Sequence, residues 1–67
     1  MTPEAAAALV GTSPTILTLW EERFGYPVHE RGADGQRFYA DEMMLALRDA
    51  LGRELSVPAA IRRARRR

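Results

Sequence analysis

Ser13-Pro14-Thr15-Ile16-Leu17-Thr18-Leu19-Trp20-Glu21-Glu22-Arg23-Phe24-Gly25 is the stretch whose local chemistry decides the architecture. Ser13 can cap a helix with its hydroxyl, and Pro14 suits the first helical position, where a backbone N–H has no intrahelical partner to lose. Leu17, Trp20 and Phe24 fall at i, i+3 and i+7, which makes one buried stripe. Thr15, Thr18 and Glu22 fall on a different face, which must meet solvent or a partner. Gly25 ends the helix, since a residue without Cβ takes the left-handed conformation at little cost. Just upstream, Thr2-Pro3-Glu4 supplies a cap, a first-turn proline and a first-turn acid for a short helix over about residues 3–9. Ala5 to Ala8 give that helix small side chains suited to close approach, and Gly11 breaks it. Two helices joined by a short glycine-containing turn form a helix-turn-helix candidate.

Downstream, Tyr26-Pro27-Val28-His29-Glu30 and Gln36-Arg37-Phe38-Tyr39 flank Arg31-Gly32-Ala33-Asp34-Gly35. The glycines and Asp34 are turn chemistry and the flanks hold β-branched or aromatic residues, so the spacing predicts a short hairpin. A lone hairpin is marginal in water, which requires Phe38 or Val28 to pack on the helices. A third helix is expected over about residues 41–53, capped by Asp41, with Met44, Leu47 and Leu51 inward. Ser56 can cap a fourth helix, with Val57, Ala60, Ile61 and Ala64 inward. The expected fold is mainly α: a winged helix-turn-helix of four short helices, with a two-stranded β-hairpin wing between helices 2 and 3, spanning residues 1–67 as one domain.

The chain has 67 residues, too few for a catalytic domain beside a binding domain. At this size only about 60% of the unfolded surface is buried, so the core is thin. Zero cysteines exclude disulfides and thiolate metal sites. His29 is the single histidine; it is expected to be a surface strand residue without a partner, and no metal or cofactor site is expected. Neighbouring acids such as Glu21 and Glu22 face different directions on a helix, so no catalytic dyad forms and no enzyme is expected. No apolar run approaches the roughly 20 residues that cross a bilayer, and the first residues lack the basic-then-apolar layout of a signal peptide. A cytoplasmic module with no membrane contact is the expectation.

All ten basic residues are arginine, and their distribution is uneven. Residues 1–61 carry five arginines against nine acids, a net charge of −4. Arg62, Arg63, Arg65, Arg66 and Arg67 form a basic tail that brings the total to +1. A basic block on an acidic body points to a polyanion such as nucleic acid, or to an acidic protein. A solvated C-terminal end is the plain alternative.

The run from Ser13 to Gly25 resembles the recognition-helix signature of MerR-type transcriptional regulators: a serine-led helix with a leucine, an aromatic, a glutamate, and an Arg-aromatic-Gly end. Arg31 to Tyr39 is similar to the wing of that family, an arginine, a glycine turn, then arginine leading into Phe38-Tyr39. Leu55-Ser56-Val57-Pro58-Ala59-Ala60-Ile61 resembles the segment that closes these domains. The resemblance covers essentially the whole chain. Its closest flavour is the DNA-binding domain of the carotenoid and B12-dependent light-response repressors, where Trp-Glu and an Arg-aromatic-Gly-aromatic-Pro run also occur. The resemblance implies a bacterial-type regulator that binds double-stranded DNA, with helix 2 in the major groove and the wing on the backbone or minor groove. It also implies dimers on inverted repeats through a C-terminal part beyond this domain, so the chain is either an excised domain whose full-length regulator carries a sensory domain, or a stand-alone factor.

The expected DNA-binding residues are Thr15 and Thr18 for base readout, Arg23, Arg31 and Arg37 for phosphates, Gln36 at the wing tip, Tyr39, and the arginine tail. Arg37 has a second role open to it, pairing with Glu21 to pin the hairpin onto the helix. The family usually offers one or two arginines on the groove-facing surface. Here Thr18 and Leu19 stand there, followed by acidic Glu22, which repels phosphates unless it meets a cytosine amino group. Two other functions fit the same fold. One is a protein-interaction module, as an antirepressor or a subunit docking through Leu19 and Leu45. The other is a small excisionase-like architectural factor that bends DNA.

Overall fold

The computed structural model describes residues 1–66; Arg67, the last of the basic tail, lies outside the described residues. The order is α1 (Pro3–Leu9), α2 (Pro14–Phe24), β1 (Glu30–Arg31), β2 (Arg37–Phe38), α3 (Asp41–Arg53) and α4 (Val57–Arg65). This is the expected winged helix-turn-helix. Three helices begin with side-chain caps. Thr2 Oγ1 accepts from the Ala5 N–H at 3.1 Å, Ser13 Oγ from Ile16 at 3.3 Å and Ser56 Oγ from Ala59 at 3.3 Å.

Helix α3 departs from expectation at its start. Ala40 occupies the capping position and offers no side-chain acceptor. Asp41 is the first helical residue instead, and its carboxylate faces the Met1 ammonium at 3.5 Å. An acid in the first turn still complements the positive end of the helix dipole, which is why the sequence signal resembled a cap.

The core is small and lies where the helices meet, with α1 against α2 and α3, and α3 against α4. Leu17, Tyr39, Met44 and Leu47 are fully buried at its centre, closed by the small side chains Ala6, Ala7, Ala50 and Ala60. Trp20, Phe24 and Leu51 pack against it while partly exposed. Alanines at these crossings let backbones approach closely, which a thin core needs to reach interior packing density.

The hairpin is shorter than expected, two residues per strand, with Glu30 opposite Phe38 and Arg31 opposite Arg37. Tyr26 and Pro27 belong to the core rather than to a strand; both are buried, and the bond joining them is cis. Proline has no N–H to give a ladder. At the other end the Tyr39 N–H donates to the Met1 carbonyl at 2.8 Å, so the hairpin loses that rung to the N-terminal segment. Neither Val28, which is exposed, nor Phe38, which is half-buried, is the main anchor of the wing. Tyr39 is, at 0% exposure. The turn closes through Gly35 N–H to the Gly32 carbonyl and Gly32 N–H to the Gln36 carbonyl, both at 2.9 Å.

Candidate nucleic-acid interface

Helix α2 and the wing meet along a shallow cleft lined by Thr18, Glu21, Glu22, His29, Arg31 and Arg37. The periodicity of α2 creates one wall: with Leu17 in the core, Thr18, Glu21 and Glu22 turn toward the hairpin. The register of the hairpin creates the other, since Arg31 and Arg37 are paired across it.

Glu21 is the hub. Its Oε2 accepts from His29 Nδ1 at 2.7 Å, and its Oε1 accepts from the Tyr39 hydroxyl. Arg37 Nη2 stands 3.6 Å from the same Oε1. The guanidinium also donates through Nη2 to Thr18 Oγ1 at 3.2 Å and to the Tyr39 hydroxyl oxygen at 3.3 Å. Thr18 in turn donates to the Pro14 carbonyl at 3.2 Å. One carboxylate thus gathers three side chains from the wing segment onto α2. The Glu21 side chain is only 17% exposed, so these contacts act with weak solvent screening. Arg37 Nε is buried without a hydrogen-bond partner, which leaves the guanidinium short of one acceptor.

The Tyr39 hydroxyl is held above the ordinary tyrosine range. Burial disfavours its phenolate first, and the hydrogen bond to Glu21 adds to this, while Arg37 pulls the other way. Tyr26 is raised as well by burial, opposed by the charge of Arg65.

The expected site residues separate into groups. Thr18, Arg31 and Arg37 come together in the cleft. Thr15 and Leu19 are exposed on α2, and Gln36 is exposed at the turn. Arg31 is exposed with one donor on the Gly35 carbonyl at 3.0 Å, which steadies the turn. Arg23 is exposed near the end of α2, and its side chain makes no hydrogen bond or ion pair among the described residues. Tyr39 does not belong on the surface: it is fully buried and works from behind, as a support for Arg37 and Glu21.

The arginine tail is not a tail over its described length. Arg62, Arg63 and Arg65 lie within α4, and Arg66 caps it. Arg63 pairs with Glu54 at 2.9 Å, and Arg65 donates to the Phe24 carbonyl at 3.1 Å. Arg62 and Arg66 are exposed, and their side chains make no hydrogen bond or ion pair among the described residues. Sequence reasoning missed His29, which is half-buried against Glu21 and edge-on to the Tyr39 ring, with centroids 6.4 Å apart. The signal was Glu21, an acid on the side of α2 that the hairpin had to cover.

Among the described residues no group of three or more His, Cys, Asp or Glu is placed to hold a metal ion. No helix among them is long and apolar enough to cross a membrane. A family model described as MerR HTH family regulatory protein matches residues 1–64. No curated protein and no solved structure matches the chain.

Proposed function

Because this chain belongs to the MerR helix-turn-helix family of regulatory proteins, a family of DNA-binding regulators, we propose that residues 1–67 form a domain that binds specific double-stranded DNA through α2 and the wing. The observation that carries the reading is the placement of Arg31 and Arg37 on the wing beside the polar face of α2. Helix α2 lies in the major groove with Thr15, Thr18 and Leu19 toward base edges. Thr15 donates to or accepts from a base, and Leu19 covers a thymine methyl. Thr18 contributes its remaining hydrogen-bonding capacity, since Pro14 and Arg37 already use part of it. Arg31, Arg37 and Gln36 meet the backbone, joined by Arg23 and by the free arginines of α4. It is a binding module of the cytoplasm, where its DNA would be, and not an enzyme.

Neutralising about five phosphates makes log K fall with log salt at a slope near −4.5. Selection from a random duplex library at two salt concentrations, followed by titration of the selected duplex, tests both parts. A selected sequence that competes no better than random duplex removes the specific reading. An affinity indifferent to salt removes the phosphate clamp.

A second reading, docking onto a protein partner, draws on Leu19 and Leu45, which are 42% and 50% exposed. Replacing Thr15 and Thr18 by Ala separates the two, because only the DNA reading expects a loss confined to the selected duplex.

A further inference from the structure

The cleft holds a contradiction for a surface meant to meet phosphates. Two carboxylates, Glu21 and Glu22, line it beside Arg31 and Arg37. Taken by charge alone, each acid should weaken DNA binding. Their surroundings differ. Glu22 is exposed, and no described residue makes a hydrogen bond or ion pair with its carboxylate. Glu21 is largely covered and bonded to His29 and Tyr39, with Arg37 beside it.

We propose that Glu21 is a positioning residue of the DNA interface: its carboxylate fixes the wing on α2, and removing it weakens DNA binding although it removes a negative charge. The inference rests on the DNA-binding reading above. Three observations carry it. The three partners come from before, within and just after the hairpin, so one side chain controls the whole wing. The hairpin has only two residues per strand and cannot hold its own shape in water. Thr18, Tyr39 and Glu21 all meet the wing guanidinium at one nitrogen, Nη2, so its direction follows from this cluster. Pre-arranging Arg37 spares DNA the entropy of ordering a long side chain on binding.

The test compares the full chain with Glu21→Ala, Glu21→Asp, Glu21→Gln and Glu22→Ala by fluorescence anisotropy on the selected duplex. Folding is followed by circular dichroism, and wing mobility by amide hydrogen exchange at Gly32 and Tyr39 without DNA. Glu22→Ala should bind a few-fold more tightly at low salt, as loss of an exposed acid near phosphates requires. Glu21→Ala should bind about tenfold more weakly, the loss expected when about one net charged hydrogen-bond contact is forfeited. Its wing amides should exchange faster than those of Met44 and Leu47. Glu21→Gln keeps an acceptor for Tyr39 and Arg37 and should recover most of the loss. Glu21→Asp keeps the charge and shortens the reach; it should also weaken binding, and it decides the matter if the Ala variant does not fold. Equal or tighter binding by Glu21→Ala, or by Glu21→Asp in its place, overturns the positioning role and leaves the DNA reading standing. A wild-type chain that ignores duplex overturns both.

Discussion

Arg65, the last residue of α4, donates a guanidinium hydrogen bond to the main-chain carbonyl of Phe24, the last residue of α2, at 3.1 Å. The final carbonyls of a helix have no intrahelical partner, and a cation beside them also complements the dipole. A basic residue that composition alone assigned to a tail is therefore a clasp between the closing helix and the helix proposed to read DNA. Arg65→Ala should cost about 1 kcal/mol, the net worth of one solvent-accessible hydrogen bond. In a domain of this size that lowers the melting temperature by about 4–8 °C. Arg62→Ala, at an exposed position without such a contact, should change stability by less than about 0.5 kcal/mol. Equal melting temperatures for the two variants would contradict the clasp.

The elements were legible because their signals are local. Ser13-Pro14 and Gly25 bracket α2 with capping chemistry that acts within four residues, and Leu17, Trp20 and Phe24 mark its inner stripe by period alone. The site was only partly legible, because its decisive contacts are not local. Glu21 and His29 are eight residues apart and meet only because Tyr26 and Pro27 enter the core and swing the chain back across α2. Tyr39 lies two residues beyond Arg37, on the same side of an extended chain, and that spacing does not say whether the side meets solvent or the core; tertiary packing sends its ring inward. Arg65 and Phe24 are 41 residues apart, and no spacing rule couples them.

Leu17 joins α2 to the core at 0% exposure. Leu17→Ala leaves a cavity and should cost about 2–5 kcal/mol. A domain of this length has a total stability on the order of 3–10 kcal/mol. Urea titration should therefore show a sharply lowered midpoint or no folded baseline. DNA binding should disappear with folding and return where a stabilising osmolyte restores the helical signal.

Thr15 and Arg31 should fail in different ways. Thr15→Ala removes a group proposed to touch a base, so affinity for the selected duplex should fall several-fold while random duplex is unaffected. Arg31→Ala removes a phosphate contact, so both duplexes should weaken alike and the salt slope should flatten by about 0.9. Competition titrations at three salt concentrations distinguish the two patterns. Indistinguishable profiles would place neither residue where it is proposed to be.

Tyr39 sets an alkaline limit. Its folded pKa lies above the value near 10 of a free tyrosine, because burial and the Glu21 carboxylate favour the neutral hydroxyl. The unfolded chain therefore releases the phenolic proton first as pH rises. The stabilisation is fully present below about pH 10 and is lost as pH climbs through the folded value. Tyr26 acts in the same direction. Melting temperature should hold steady from neutral pH to about 9.5 and fall above 10. Tyr39→Phe should be less stable at neutral pH, having left Glu21 and Arg37 short of a partner, and should show a shallower alkaline fall.

Two glycines give opposite signs for one substitution. Gly25 takes a φ of +69° at the end of α2, and Gly52 lies inside α3 with no positive φ; an added Cβ meets nothing within 4 Å at either. Space is therefore not what separates them. At Gly25 a Cβ forces an unfavourable left-handed backbone, so Gly25→Ala should destabilise by about 1 kcal/mol and loosen the exit from α2 toward Tyr26. At Gly52 alanine restricts the unfolded chain and favours helix, so Gly52→Ala should stabilise by up to about 1 kcal/mol, less if the last turn frays. Thermal melts of the two single variants and of the pair check this. The two sites share no partner, so the double variant should fall near the sum of the singles, close to wild type. A Gly25→Ala protein as stable as wild type would mean that the helix end does not need the left-handed turn on which the entry to the wing depends.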